Sequence, residues 1–371
     1  MPRVVHCADL HLGANFSGLP GHIGQRRKQD MMESFKKIID LCEKMRADLL
    51  LIAGDLFDDV VPRDELVEIV RMGFADIYQT TVVIAAGNHD AALPDSPYNR
   101  KNFWPANVIT FNGDIKRASV PLLDCAIWGA GFVNIYQDEC MLKNPKLDDE
   151  QLNICVMHGE LTVGEARSPY NPISRDAVSA SGLDYLALGH IHKRGEILRI
   201  GDTFVGWPGS MEPLGFDEQG EHGVYVGEIY KGGHTMEFVP LARRLYADIH
   251  LDVTGLAREE TMHYLKDRII SLPGGYENLA KITLTGLVED ILLNEDYIAD
   301  GLASVFYLSV RDMTDSELPT DAKEFDLKSV FARKMRKLIN ESPGDESLRL
   351  ALKLGLAALN DRTLSVKEVL T

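Results

Sequence analysis

The chain has 371 residues, enough for two or three domains of about 150 residues each. Its 45% hydrophobic and 26% charged residues are those of a globular protein and exclude a disordered one, and no apolar run approaches the ~20 residues that span a bilayer. The net charge of −17 argues against a broad basic nucleic-acid surface, though a metal centre would bring its own positive charge to a phosphate.

The chain opens directly on a strand-like run, residues 4–8, which leads to Asp9 and His11. With no leader sequence ahead of that run, the cytoplasm is the expected location. Residues 26–46 carry Met32, Phe35, Ile38, Ile39, Cys42 and Met45 at helical spacing. A second apolar run, residues 49–54, leads to Asp55. A second helix follows Pro62 over residues 64–78, with Leu66, Ile69, Val70, Phe74 and Ile77 as its stripe. Residues 82–87 lead to Asn88, His89 and Asp90; residues 154–157 lead to His158; residues 185–189 lead to His190 and His192. Runs of four to seven apolar residues without alternation predict strands buried on both faces, with helices crossing between some of them. The fold expected is an α/β sandwich of two sheets, with ligands gathering beyond the carboxyl ends of its strands.

From about residue 195 to 241 the texture changes. Strand-like pieces at 196–200, 203–206, 223–230 and 235–239, broken by Gly232-Gly233, predict antiparallel hairpins that complete the second sheet. Residues 243–312 predict a β-α-β-α-β unit, interrupted by Pro273-Gly274-Gly275, and residues 317–371 are mostly helical. The expected organisation is a catalytic domain over 1–241, a smaller α+β capping domain over 242–316 and a helical region over 317–371. The five cysteines include no CxxC pair, which argues against a disulfide framework and a cysteine zinc site.

The polar clusters gain force as a set. Asp9-x-His11, Gly54-Asp55, Gly87-Asn88-His89-Asp90, His158-Gly159 and Gly189-His190-x-His192 each close an apolar run. Aspartate, histidine and an asparagine carbonyl are the mixed oxygen and nitrogen donors that suit Mn²⁺, Fe or Zn. Seven such groups are too many for one tetrahedral ion and fit two ions sharing a carboxylate. Such a pair clamps a phosphate and acidifies a bridging water.

These five motifs resemble those of the calcineurin-like metallophosphoesterases, and Gly87-Asn88-His89-Asp90 with the long C-terminal extension is more similar to the SbcD and YhaO-type DNA repair exonucleases than to protein phosphatases. The resemblance covers about residues 1–240. It implies one ion held by Asp9, His11 and His192, another held by Asn88, His158 and His190, and Asp55 between them. It implies Mn²⁺ as the metal, His89 as general acid or phosphate stabiliser, and Asp90 orienting the His89 ring. Relatives often carry a histidine where this chain has Asp58. The resemblance further implies DNA as substrate, a homodimer, and an SMC-like ATPase partner gripped by the C-terminal helices.

Basic pairs flank the motifs: Arg26-Arg27-Lys28, Arg100-Lys101 and Lys193-Arg194. Lys193 and Arg194 are the candidate nucleic-acid contacts, being next to a candidate ligand. Trp207-Pro208-Gly209-Ser210 reads as a buried turn, and Cys7 and Cys155 as core residues. In the tail, Leu327, Val330, Phe331, Met335, Leu338 and Ile339 form an apolar stripe opposite Lys328, Arg333, Lys334, Arg336 and Lys337. The leading expectation is a two-metal DNA exonuclease with secondary single-strand endonuclease activity. The alternatives are a phosphoesterase for small nucleotides or phosphoproteins, and a scaffold holding an ATPase at DNA ends.

Overall fold

A computed structural model describes the chain apart from residues 121–122, 144, 146, 148–149, 164–166, 255, 289–292, 317–326, 343–344 and 360–371. It divides into two compact units, Met1–Leu245 and Tyr246–Thr371.

The first unit alternates strands and helices at its start: β1 (Arg3–Cys7), α1 (Gly21–Met45), β2 (Leu49–Ala53), α2 (Asp64–Asp76), β3 (Thr81–Ala85) and β4 (Val108–Phe111). Then come β5 (Gly113–Ser119), β6 (Cys125–Gly131), β7 (Leu152–His158), β8 (Glu160–Thr162), β9 (Pro172–Ser174), α3 (Arg175–Ser181) and β10 (Tyr185–Gly189). The unit closes with β11 (Leu198–Ile200), β12 (Thr203–Gly206), β13 (Gly223–Tyr230), β14 (Gly233–His234) and β15 (Glu237–Pro240). One sheet has the order β14-β13-β1-β2-β3-β4 with β15 also on β13, and the other has the order β11-β12-β10-β7-β6-β5.

Alternation within each apolar run decides the layers. Val5, Leu50, Ile52, Val82 and Ile84 face α1 and α2, whereas Val4, Leu49, Leu51, Ala53, Val83 and Ala85 face the other sheet. From that sheet Ile127, Ile154, Val156, Tyr185 and Ala187 meet them, and its outer face packs on Val178 of α3. Both faces of β1, β2, β3, β6, β7 and β10 are therefore dry, which is why the sequence shows unbroken apolar runs there. The architecture is the expected two-sheet α/β sandwich.

Three expectations need correction. Only β11 and β12 complete the second sheet. β13 pairs antiparallel with β1 and belongs to the first. Its Val224 and Tyr225 point into opposite cores, so it acts as an interior strand that covers the edge β1 would otherwise expose. Helix α1 begins five residues before the expected Arg26, at Gly21 after Pro20. Gly21 and Gly24 weaken the local helix signal, and Gly24 is there because Phe16 packs against it. On α2, Ile69 is not part of the buried stripe and is 52% exposed.

The second unit contains β16 (Tyr246–Asp252), α4 (Arg258–Ile270), β17 (Leu279–Thr285), β18 (Leu287–Val288), α5 (Glu295–Gly301), β19 (Tyr307–Asp312), β20 (Asp315–Ser316), α6 (Leu327–Glu341) and α7 (Glu346–Leu359). The parallel sheet β16-β17-β19 buries Ile249, Leu251, Ile282 and Leu284 beneath α4 and α5. Helices α6 and α7 share a small core of Phe331, Ala332, Met335, Ile339, Leu352 and Leu356. A Cβ at Gly355 would overlap the Phe331 ring, so the glycine lets the two helices close on each other. Of the expected tail residues, Lys328 and Arg336 have side chains outside the described set, while Arg333, Lys334 and Lys337 are exposed. No helix among the described residues is long and apolar enough to cross a membrane.

Candidate metal centre

The polar motifs follow the carboxyl ends of β1, β2, β3, β7 and β10, and the two sheets bring those five ends together. Beyond β1 the backbone keeps running beside the segment beyond β2: Asp9 N–H donates to the Gly54 carbonyl at 3.1 Å and His11 N–H to that of Asp55 at 2.9 Å. Asp9, His11, Asp55 and His190 all have positive φ, and they make up four of the seven such non-glycine residues described. Each left-handed residue costs on the order of 1 kcal/mol, so strain is concentrated where side chains must turn inward. Two glycines make the room. A Cβ at Gly54 would lie 2.3 Å from His158 Nδ1, and one at Gly87 would strike Asp55 Oδ1.

The donors form two groups with Asp55 between them. In the first, Asp9, His11 and His192 converge, with Nε2 of His11 and Nε2 of His192 3.0 Å apart. In the second, Asn88 Oδ1 lies 2.9 Å from His158 Nε2 and 3.2 Å from His190 Nδ1. Asp55 Oδ2 stands 3.6 Å from His11 Nε2 and 3.4 Å from His158 Nε2. Donors about 2.1 Å from one ion and at right angles around it are separated by about 3.0 Å, so these spacings suit shared ions.

The far edges of the rings are held. His11 Nδ1 faces Asp58 Oδ1 at 3.0 Å, His158 Nδ1 donates to the Ala53 carbonyl at 2.9 Å, and His192 Nδ1 faces Glu218 Oε1 at 2.6 Å. Such bonds fix which nitrogen presents its lone pair inward. The His190 N–H donates to both oxygens of Asp9, at 2.9 and 3.0 Å, which locks the Asp9 carboxylate across the site.

The electrostatics call for cations. Burial, with Asp90 and Asp9 nearby, raises the Asp55 carboxyl well above the usual carboxylate range, and His11 only partly offsets this. Burial and the neighbouring imidazoles lower His190 to about 4, leaving it neutral with a free lone pair. For His192, burial favours the neutral ring but is outweighed by Glu218, and its pKa rises to about 9. A metal would take the place of that proton. The donor set therefore fits two divalent ions.

His89 stands beside the centre with its side chain 47% exposed. Its N–H donates to Asp55 Oδ1 at 2.9 Å, and burial and His11 lower its pKa. The expected pairing of its ring with Asp90 is not what the structure has. Asp90 accepts from Gly87 N at 2.8 Å, Phe57 N at 3.1 Å and Tyr98 Oη at 2.6 Å, and so braces the turn itself. An adjacent residue in a tight turn is directed away from its neighbour. The carboxylate by the ring is Asp58, with Oδ1 3.6 Å from His89 Nδ1.

Of the basic residues, Arg27 is fully buried on Asp30 and Glu212 and is unavailable to phosphate, and Arg26 pairs with Asp30 and Glu33. Arg100 pairs with Asp64 at 2.8 Å. Lys193 and Arg194 are exposed beside His192; Arg194 also lies over the Phe238 ring and 3.8 Å from Glu221. Sequence reasoning had no signal for two residues, Glu218 and Tyr170, and marked Asp58 only as a place where relatives often carry a histidine. Tyr170 lies 4.9 Å from the His190 ring, and Tyr136, 64% exposed, lies 5.9 Å beyond it. Asp58 could have been found from its place three residues after Asp55. Glu218 and Tyr170 sit in loops with no pattern to announce them.

Residues 2–194 match the family model described as calcineurin-like phosphoesterase. Among curated proteins, the chain is 29% identical over 261 residues to the uncharacterized metallophosphoesterase YhaO of Bacillus subtilis, covering 67% of this chain and 63% of that protein. It is 28% identical over 276 residues to the DNA double-strand break repair protein Mre11 of Aeropyrum pernix, covering 68% and 64%. It is 26% identical over 262 residues to the SbcD component of the SbcCD nuclease of Escherichia coli K12, covering 59% and 62%. The chain thus spans less than two thirds of the length of these relatives.

Proposed function

Because this chain belongs to the calcineurin-like phosphoesterase family, we propose that it is a metal-dependent hydrolase of DNA phosphodiester bonds, an exonuclease of DNA repair. The observation that carries this reading is the pair of donor groups flanking Asp55. Asp9, His11 and His192 would hold one ion, Asn88, His158 and His190 the other, with Asp55 shared and Mn²⁺ as the metal. Two ions bound there supply positive charge to the phosphate and acidify a water. His89, reachable from solvent yet tied by its backbone to Asp55, would protonate the leaving oxygen.

Two features favour a nucleotide polymer over a phosphoprotein. Tyr170 and Tyr136 lead outward from His190 as flat surfaces on which bases can stack. Lys193 and Arg194, next in the chain to His192, add exposed positive charge beside the centre. The similarity to double-strand break repair and SbcCD proteins supports DNA as that polymer.

Partners are proposed on the same footing. Ile69 and Met72 are exposed on α2, an apolar patch suited to a second copy of the chain. The α6–α7 pair, with Leu327 and Leu338 exposed and a basic outer face, suits the coiled coil of an SMC-like ATPase. Residues 242–316 are proposed as the capping domain, and the cytoplasm as the location. The test is cleavage of end-labelled single- and double-stranded DNA with and without Mn²⁺, beside a nucleotide phosphatase control. Metal-dependent shortening from ends, abolished in Asp55→Ala, is expected. Activity on mononucleotides alone would favour the small-substrate reading.

A further inference from the structure

On the two-ion reading above, we infer that Glu218 is a positioning residue for the Asp9–His11–His192 ion, working through the turn at Trp207-Pro208-Gly209-Ser210. His192 is held twice, at its backbone by this turn and at its ring by Glu218. Its backbone is held because Ser210 N–H donates to the His192 carbonyl at 2.9 Å, and Gly209, with φ of +81°, comes so close that a Cβ would lie 2.4 Å from that same oxygen. Its ring is held by Glu218, whose Oε1 lies 2.6 Å from Nδ1.

Glu218 is itself fixed. Its Oε2 accepts from Leu214 N at 3.0 Å and from Ser210 Oγ at 3.2 Å. Ser210 Oγ also meets His222 Nδ1 at 2.8 Å, and His222 Nε2 donates to the Glu218 carbonyl at 3.1 Å. Ser210 and His222 are buried, so this ring of contacts lies mostly out of water. One carboxylate oxygen is spent on holding the loop while the other aims the imidazole, with Nε2 turned toward His11. A carboxylate behind a ligating histidine fixes its tautomer and raises its basicity. In the other group His158 Nδ1 donates to the neutral Ala53 carbonyl at 2.9 Å, with the nearest Asp9 oxygen farther off at 3.8 Å. Glu218 therefore acts on one ion and not on the other.

The test is calorimetric titration of the full chain with Mn²⁺, with the coupled-ion signal followed by electron paramagnetic resonance. Wild type is expected to take two ions. Glu218→Gln should weaken one of them about 10- to 100-fold and leave the other unchanged. Ser210→Ala, which loosens Glu218 but leaves it in place, should weaken the same ion less, and it carries the test if Glu218→Gln does not fold. His192→Ala should weaken that ion too, and adding Glu218→Gln to it should cost nothing more. Equal weakening of both ions, an additive double variant, or unchanged affinity in Glu218→Gln or Ser210→Ala would overturn the inference. A wild type that takes fewer than two ions would instead remove the two-ion reading on which it rests.

Discussion

Asp58 Oδ1 lies 3.0 Å from Nδ1 of His11, on the ring edge opposite the nitrogen that faces His192. The same oxygen is 3.6 Å from Nδ1 of His89, so a single carboxylate faces both a candidate metal donor and the candidate acid. Asp58→Asn should weaken metal binding and lower kcat/KM, each by about 10- to 100-fold. Asp90→Asn should act differently, since Asp90 braces the turn through Gly87 N, Phe57 N and Tyr98 Oη. Its main effect should be a loss of about 1–3 kcal/mol in stability for each buried donor left unpaired. Comparing metal titrations with thermal melts of the two variants separates the roles; the reverse pattern would return the orienting role to Asp90.

His89→Ala should keep both ions and lose turnover, because the His89 ring, though close to His11 and Asp58, is about half exposed and is proposed as the acid rather than a ligand. General acid–base groups contribute typically 10²- to 10⁴-fold, and a fall in kcat of about that size is expected at unchanged metal stoichiometry. Loss of an ion in the variant would make His89 a ligand instead.

The α6–α7 pair has its own core, with Phe331 seated against Gly355. Deleting residues 321–371 should therefore leave metal-dependent cleavage of short oligonucleotides intact while ending co-purification with an SMC-like ATPase. An insoluble or metal-free truncated protein would show that the helices belong to the rest of the fold, and the docking proposal would fail.

His6 gives the stability a pH dependence separate from the candidate metal centre. It is fully buried between the sheets with Nδ1 3.0 Å from Tyr185 Oη, and burial lowers its pKa to about 3. The folded state keeps it neutral, whereas the unfolded chain protonates it below about 6.5. Its contribution is thus complete above pH 6.5 and is lost as pH falls toward 3, at about 1.4 kcal/mol per pH unit. Between pH 6.5 and 4.5 wild type should lose about 2–3 kcal/mol that His6→Leu does not. Urea midpoints of both proteins across that range provide the measurement, and parallel curves would refute it.

The sequence by itself determined which strands are buried on both faces, because a run such as Leu49-Leu50-Leu51-Ile52 leaves no face for water. It also determined where the chemistry lies, since polar donors closing those runs have to emerge at one end of the sheets. What it could not determine were partners set by packing across distant segments. Whether β13 joins β1 or β12 depends on which edge needs covering, and both choices satisfy the same local pattern. Asp90 follows His89 in the chain, yet the turn directs its carboxylate to Tyr98, and Asp58 takes the place beside the ring. Glu218 is 26 residues from the histidine it holds. A hydrogen bond is set by direction and distance to within a few tenths of an ångström, and only the folded backbone fixes those.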